Sequence, residues 1–332
     1  MQLTLMPLSD RRVHIDAVLA EYETEAANAF GPFVHDLLEP LQRALRSRGV
    51  EGYALLAGRV PVAAVCYARY SRLVRITLLH CCEAWRGEGH EAQLLSLVLS
   101  EAGANSMRGE LGREATSTIL CEAMVVSHPD PDQLFREHGF HVTEREIMGA
   151  ELGSAALFPR RPPPYVEFSR SEVVFRLRGW QKGDVKTAGE VLRRANRGSI
   201  DGCIYPELVD PRLSEFAVQS IVAGSFGRFD HRGSSCLVAL PEGSCAGIAM
   251  CTWSNREAAF LAEIAVLPQW QGLGLGQALL DRTIARLAAA GCRQLFLAVT
   301  TANSAATRMY AARGFDRVRL FGSYYRPVGG DS

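Results

Sequence analysis

In the second half of the chain, apolar runs alternate with stretches in which apolar residues recur every three or four positions. Residues 258–267 form an almost unbroken apolar run, which predicts a buried strand. Beyond the Pro268 to Gly276 segment, Leu280, Ile284, Leu287 and Ala288 share one helical face, and Gly291 is a natural stop. Residues 294–299 predict the next strand and 303–312 a second helix, closed by Arg313, Gly314 and Phe315. Upstream, 236–240 and 246–251 flank a turn at Pro241, Glu242 and Gly243, so they predict a hairpin.

The first half repeats this order. Residues 53–56 and 62–67 flank Gly58 as a hairpin, and 74–82 is strand-like. Then come Arg86-Gly87-Glu88-Gly89-His90-Glu91 and a helix through Leu94, Leu95, Val98 and Leu99. The next strand is predicted at 119–126, and Leu134 to Phe140 ends the copy. Two copies of one α/β unit follow from this repetition. Four prolines within 158–164 suit neither a helix nor a central strand, so the predicted domains are 1–157 and 166–332, joined by a linker at 158–165.

Composition narrows the classes. With 332 residues, 48% hydrophobic and 22% charged, the chain has the makeup of a globular protein of about two domains. Mean hydropathy is +0.01. Thirty-six basic residues cancel thirty-six acidic ones, so no global field points to nucleic acid. Basic residues number 16 against 21 acidic before Tyr165, and 20 against 15 from there on, which supports a boundary. No apolar run approaches the ~20 residues of a membrane span, and no secretory leader is evident. Nine cysteines without repeated spacing, with Cys66, Cys121, Cys251 and Cys292 in apolar surroundings, read as reduced residues of a cytoplasmic protein. His80, Cys81 and Cys82 lack a second ligand pair at zinc spacing, so no metal is expected. Gly87 to Ala92 formally fits a dinucleotide fingerprint, but its counterpart in the repeat does not.

Chemistry concentrates where strand becomes helix. Gly272, Gly274 and Gly276 let the backbone approach an anion at a helix N-terminus, and a pyrophosphate suits that place. Gln271-x-x-Gly274-x-Gly276, followed by Asn303-x-x-Ala306-x-x-x-Tyr310-x-x-x-Gly314-Phe315, resembles the GCN5-related N-acetyltransferase (GNAT) family over about 168–326. The resemblance implies two tandem domains of α/β (α+β) class, each a mixed, mostly antiparallel twisted sheet flanked by helices, in a mycothiol-synthase-like arrangement. It implies acetyl-CoA as cosubstrate, with the pyrophosphate on the amides of Gln271, Gly272, Leu273, Gly274, Leu275 and Gly276. A bulged strand presenting Ile264, Ala265, Val266 and Leu267 would hold the pantetheine arm, helped by Asn303 and Ala306, and Tyr310 is the usual general acid.

An amine attacking a thioester must first lose a proton. Glu263 is the candidate base and equally a candidate water or substrate contact. The Val266 amide suits the developing oxyanion and Tyr310 the departing thiolate. Asp201, Glu207, Asp210 and Asp230 are weaker candidates for recognising the amine, and Tyr324 and Tyr325 for lining the same groove. The first half departs from the pattern at Glu91, at His128 in the asparagine position and at Phe135 in the tyrosine position, so it reads as a degenerate copy. The expected activity is acetyl transfer to a primary amine of an acceptor of unknown size, by a monomer or homodimer with no nucleic-acid or membrane partner. The alternatives are a non-catalytic acyl-CoA-binding module and an acyltransferase using a longer acyl-CoA.

Overall fold

The computed structural model describes residues 3–30, 41–42, 45, 50–70, 72–108, 118–122, 127–153 and 165–328. The chain forms two units, Met1–Glu144 with Phe321–Ser332, and Arg145–Leu320.

The first unit contains β1 (Leu3–Pro7), α1 (Asp16–Phe30), β2 (Glu51–Ala57), β3 (Val60–Tyr70), β4 (Leu73–Cys81), α2 (His90–Arg108), β5 (Thr118–Glu122) and α3 (Pro131–Glu137). Its sheet runs β1-β2-β3-β4-β5. Side chains alternate between two apolar layers. Ala54, Leu56, Ala64, Cys66 and Leu78 pack with Val18 and Tyr22 of α1, whereas Leu55, Val65, Tyr67 and Ile76 pack with Leu94, Leu95 and Val98 of α2. Burial on both faces explains why these strands read as continuous apolar runs rather than as alternating ones.

The second unit begins inside β6 (His141–Glu151) and continues through β7 (Tyr165–Arg170), β8 (Val173–Gly179), α4 (Asp184–Asn196), α5 (Ile200–Ile204), α6 (Leu213–Ala223) and β9 (Arg228–Phe229). Then come β10 (Ser235–Leu240), β11 (Ser244–Trp253), β12 (Ala258–Val266), α7 (Leu275–Ala289), β13 (Gln294–Thr300), α8 (Ser304–Ala311) and β14 (Asp316–Pro327). The sheet order is β6-β13-β12-β11-β10-β8-β7, and β9 pairs with β11. The β12·β13 pairing is parallel, as is β4·β5 in the first unit, and the other pairings given are antiparallel. Leu275, Leu279, Leu280, Ile284 and Leu287 of α7 fill the core against Ala249, Cys251, Leu295 and Leu297. The strand and helix boundaries thus follow the hydrophobic pattern closely.

The unit boundary follows a different rule. Residues 158–164 of the proline run lie outside the described residues, as do 123–126 of the strand expected at 119–126. The division falls at 144/145, and each sheet takes a strand from across the proline run. Arg145–Glu151 of β6 pairs with β13 from Arg145↔Thr300 to Glu151↔Gln294. Residues 323–327 of β14 pair with β5 in the first unit, from Ser323↔Glu122 to Pro327↔Thr118. Unpaired strand edges invite aggregation. A chain divided at the proline run into 1–157 and 166–332 is therefore expected to leave β5 and β13 each without one of its two neighbouring strands. Each piece alone should unfold at a lower temperature than the intact chain and aggregate more, as read by thermal unfolding and size-exclusion chromatography. Mixing the pieces should recover part of the loss.

Candidate active site

One extra residue shapes the second unit's site. Between β11 and β12 the register runs Cys251↔Leu261 and then Met250↔Glu263, so Ala262 is the unpaired residue of a bulge. The bulge reverses the alternation of the strand. Ala259 and Leu261 face the α7 core before it, and Ile264 and Val266 pack against the same core after it. Glu263 is thereby turned out of that core, where an unbulged strand would have buried it.

At the same place β12 parts from its neighbour. Pairing with β13 extends from Ala258↔Gln294 to Leu261↔Leu297 and ends there, although β13 continues to Thr300. On the other side, the Leu267 amide donates to the Ala246 carbonyl at 2.9 Å. In an antiparallel ladder every second residue points its backbone groups at the partner. Ala265 and Leu267 therefore face β11, and the N–H and C=O of Ile264 and Val266 face the opening left by β13. The Val266 carbonyl accepts a 3.0 Å bond from the Gln271 side-chain amide, which fixes the turn that follows.

That turn is built on two left-handed glycines, Gly272 at φ +77° and Gly274 at φ +74°. A side chain at either would project into open space, so backbone conformation requires glycine there and leaves the approach clear. Gly274 is the N-cap of α7 and offers no capping side chain, so the first-turn amides are directed at whatever binds above them. These residues fit a pyrophosphate. Gly276 has a packing reason as well, because a Cβ there would lie 3.3 Å from the Met309 sulfur. Asn303 is the N-cap of α8, its side chain accepting from the Ala306 amide at 3.2 Å.

Around Glu263 the second unit gathers further polar groups. Thr300 at the end of β13 donates to the Asp201 carboxylate at 2.5 Å. Arg145 of β6 donates to the Tyr205 hydroxyl, lies 5.1 Å from the Tyr205 ring centroid and reaches the Ala298 carbonyl at 3.4 Å. Burial pushes the Glu263 carboxyl up from an ordinary 4.5 to about 8. The Asp201 and Glu207 carboxylates add to the shift, and Arg145 opposes it. Tyr310, buried on α8 with its ring 5.8 Å from that of Phe315, is pushed upward by burial and by the Glu263 and Asp201 charges. Its phenol stays protonated through the neutral range.

Of the four acidic residues singled out from sequence, Asp201 and Glu207 act on Glu263. The other two shape the fold. Asp210 accepts from the Arg212 and Leu213 amides at 2.7 and 3.2 Å, and buried Asp230 accepts from the Arg232 amide and the Trp253 indole, both at 2.9 Å. Tyr324 and Tyr325 belong to the first unit. Tyr324 stacks on Phe135 and donates to Asp132 at 3.0 Å, and Tyr325 stacks on His141. Sequence reasoning missed Arg145, Tyr205 and Thr300, which carry no motif; Arg145 and Thr300 are brought together only by the pairing of β6 with β13, and Tyr205 follows the short helix α5.

The first unit has the same backbone device with other side chains on it. Its register runs Tyr67↔Ile76 and Cys66↔Leu78, leaving Thr77 as the bulge, and among the described residues β4 pairs with β5 from Leu73↔Thr118 to Ile76↔Cys121. Gly87 and Gly89 take φ +81° and +80°. The Arg86 Nε donates to the Cys81 carbonyl at 3.0 Å, repeating the Gln271 contact. Here, however, the Cys81 amide donates to the Ser127 hydroxyl at 2.8 Å, which donates at 2.8 Å to buried Glu91. The backbone donor corresponding to Val266 is thus already bonded, and a carboxylate sits at the helix N-terminus. Leu78 stands where Glu263 would, and the Arg86 guanidinium bridges Glu21 and Glu25. The cap of α3 is Asp130, accepting from the Gln133 amide at 2.9 Å, rather than His128.

Residues 204–315 match the model of the acetyltransferase (GNAT) family. Mycothiol acetyltransferase of Nocardiopsis dassonvillei is 30% identical over 243 residues, covering 69% of this chain and 68% of that protein. The chain belongs to the GNAT family. The [ribosomal protein bS18]-alanine N-acetyltransferase of Haemophilus influenzae is 36% identical to this GNAT protein over 124 residues, 36% of this chain and 84% of the relative. For other curated acetyltransferases the match spans about half of the relative, 49%. The fold is that of a tandem GNAT protein from the clavulanic acid biosynthesis pathway, with a TM-score of 0.56 at 16% identity over 100% of both chains. By family and named homologues the chain is an acetyl-CoA-dependent N-acetyltransferase. No helix among the described residues is long and apolar enough to cross a membrane.

The raised Glu263 carboxyl has a stability consequence. Because the folded state holds this proton more tightly than the unfolded chain, its contribution is complete below about pH 4.5 and is lost as pH rises through about 8. Glu263→Gln, which keeps the shape and cannot ionise, should gain in melting temperature relative to the parent between pH 5 and pH 9. A difference that stays constant across that range would show that Glu263 is not desolvated.

Proposed function

We propose that the second unit transfers the acetyl group of acetyl-CoA to a primary amine by direct attack, and that each chain has one such site. The observation that carries this reading is the opening between β12 and β13. There the backbone groups of Ile264 and the Val266 amide, turned away from β11, border a glycine cradle, Glu263 and Tyr310.

In this reading acetyl-CoA supplies the activated acyl group. Its pyrophosphate rests on the amides from Gln271 to Gly276. The pantetheine arm runs along Ile264 to Leu267, beside Asn303 and Ala306. The acceptor arrives as an ammonium, drawn by the Asp201 and Glu207 carboxylates. An alanine amine, named for one relative, has this chemistry. Glu263, directly or through a water, takes the proton that the amine must lose, and a carboxyl with a pKa near 8 is matched to that task at neutral pH. The Val266 amide donates to the oxygen on which charge develops. Tyr310, still protonated, delivers its proton to the departing thiolate. The nitrogen sheds two protons: one goes to Glu263 before attack, and the second, released as the C–N bond forms and the C–S bond breaks, replaces the proton that Tyr310 gives to the thiolate.

Tyr310→Phe should lower turnover by a factor approaching the ~10² to 10⁴ typical of general acid catalysis while leaving acetyl-CoA affinity near the parent value. Unchanged turnover at every pH would assign the proton to another group. In the same assay, kcat/KM should rise through about pH 8 as Glu263 ionises, and Glu263→Gln should remove that limb. Calorimetry should give one acetyl-CoA per chain, and Gly274→Glu, which puts a carboxylate into the cradle, should abolish it. Two equivalent sites, or unchanged affinity in this variant, would overturn the one-site reading.

A further inference from the structure

Two thiols outside the acyl-transfer site face each other. Cys236 on β10 and Cys245 on β11 have their sulfurs 3.0 Å apart, across the point where the register of these strands shifts between Leu237 and Val238. That separation is inside ordinary sulfur contact and close to bonding reach. The two differ in access: Cys236 is buried at 1% exposure, and Cys245 is half-buried. A cation stands beside them. Arg178 is directly opposite Cys236 in the β10·β8 register and is held by paired 2.7 and 2.8 Å bonds to Asp184.

We infer that Cys236 and Cys245 are a peroxide-sensitive dithiol that closes to a disulfide, with Cys245 as the attacked-first thiol and Cys236 as the resolving one. Geometry sets the order. Cys245 is the more accessible sulfur, and its thiol is drawn down by its contact with Cys236, by a backbone hydrogen bond at Gly247 and by Arg178, in spite of burial. Cys236 is deeper and reaches no oxidant before its partner does. In the first step the Cys245 thiolate attacks one oxygen of hydrogen peroxide. The O–O bond breaks, an S–O bond forms, and with one proton a water leaves, giving a sulfenic acid. In the second step the Cys236 sulfur attacks the Cys245 sulfur, the S–O bond breaks, and a second water leaves with the Cys236 proton. Peroxide is reduced by two electrons and the thiol pair is oxidised by two.

The cross-link would matter for its place in the sheet. Cys245 adjoins Ala246, whose carbonyl holds the Leu267 amide, and Gly247, which pairs with Val266. A bond between β10 and β11 there fixes the strand that backs β12. Cys203 is exposed and serves as an internal comparison for a freely accessible thiol.

The test uses the intact chain, reduced and then exposed to hydrogen peroxide. Intact mass should fall by two hydrogens, peptide mapping should find the Cys236 and Cys245 peptides linked, and a reducing agent should reverse both changes. The oxidised protein should melt at a higher temperature than the reduced one. Cys236→Ser, which removes the resolving thiol, should accumulate a dimedone adduct at Cys245, whereas Cys245→Ser should leave Cys236 unlabelled. The inference fails if peroxide modifies Cys203 while the Cys236 and Cys245 peptides stay reduced. It fails equally if the adduct forms on Cys236 in Cys245→Ser, which would reverse the order. Since the mapping is done on the unsubstituted protein, a variant that does not fold leaves the decisive outcome intact.

Discussion

A strand that pairs on both sides has no backbone group to spare for a ligand, and the chemistry proposed for the second unit depends on relaxing that condition at one residue. Ala262 is the extra residue in β12. With it, the strand changes face, parts from β13 and turns Ile264 and Val266 toward an opening. The cost of unpaired backbone is ordinarily prohibitive inside a sheet. Here one carbonyl is met by Gln271, and the remaining groups border the space in which a substrate amide or carbonyl would satisfy them. Cradle, carboxylate and phenol are arranged around that opening because the strands flanking it lead directly into α7 and α8.

The two units show how far such a device can be separated from its chemistry. Bulge, left-handed glycines and the side-chain contact to the bulged strand recur in the first unit. What differs is a handful of side chains. Ser127, itself held by Glu91, occupies the Cys81 amide from within, Leu78 replaces the carboxylate, and Phe135 replaces the phenol while stacking on Tyr324. A fold is retained by its packing, and a site by a few polar atoms. The buried hydrophobic layers on both faces of the first sheet give it a reason to persist without those atoms.

Much of this was legible in the sequence because it is local. Apolar runs marked the strands, helical spacing marked α7, and the glycines marked the turn where a positive φ is needed. Glu263 was recognisable as a carboxylate on the right strand, but its elevated pKa was not, since that comes from Asp201, Glu207 and Arg145 at distant positions. The same limit hid the Cys236 and Cys245 contact, whose nine-residue spacing is no motif and which a hairpin brings together. Asp130 was missed as the cap of α3 because the helix starts two residues later than the repeat alone suggests. The proline run drew attention as a boundary through composition, whereas the units divide according to which strands find partners.

Strand exchange also sets an order on the birth of the molecule. The second unit is contained in Arg145–Leu320, so every strand it needs has been made once Leu320 has left the ribosome. The first unit, although most of it precedes the second in sequence, pairs β5 with residues 323–327, which are synthesised only after the whole of the second unit. Loop closure over some two hundred residues must precede that pairing, and such long-range contacts form slowly. The half of the chain translated first is therefore the half completed last. Until the C-terminal strand arrives, β5 stands exposed at the edge of a sheet awaiting its closing partner.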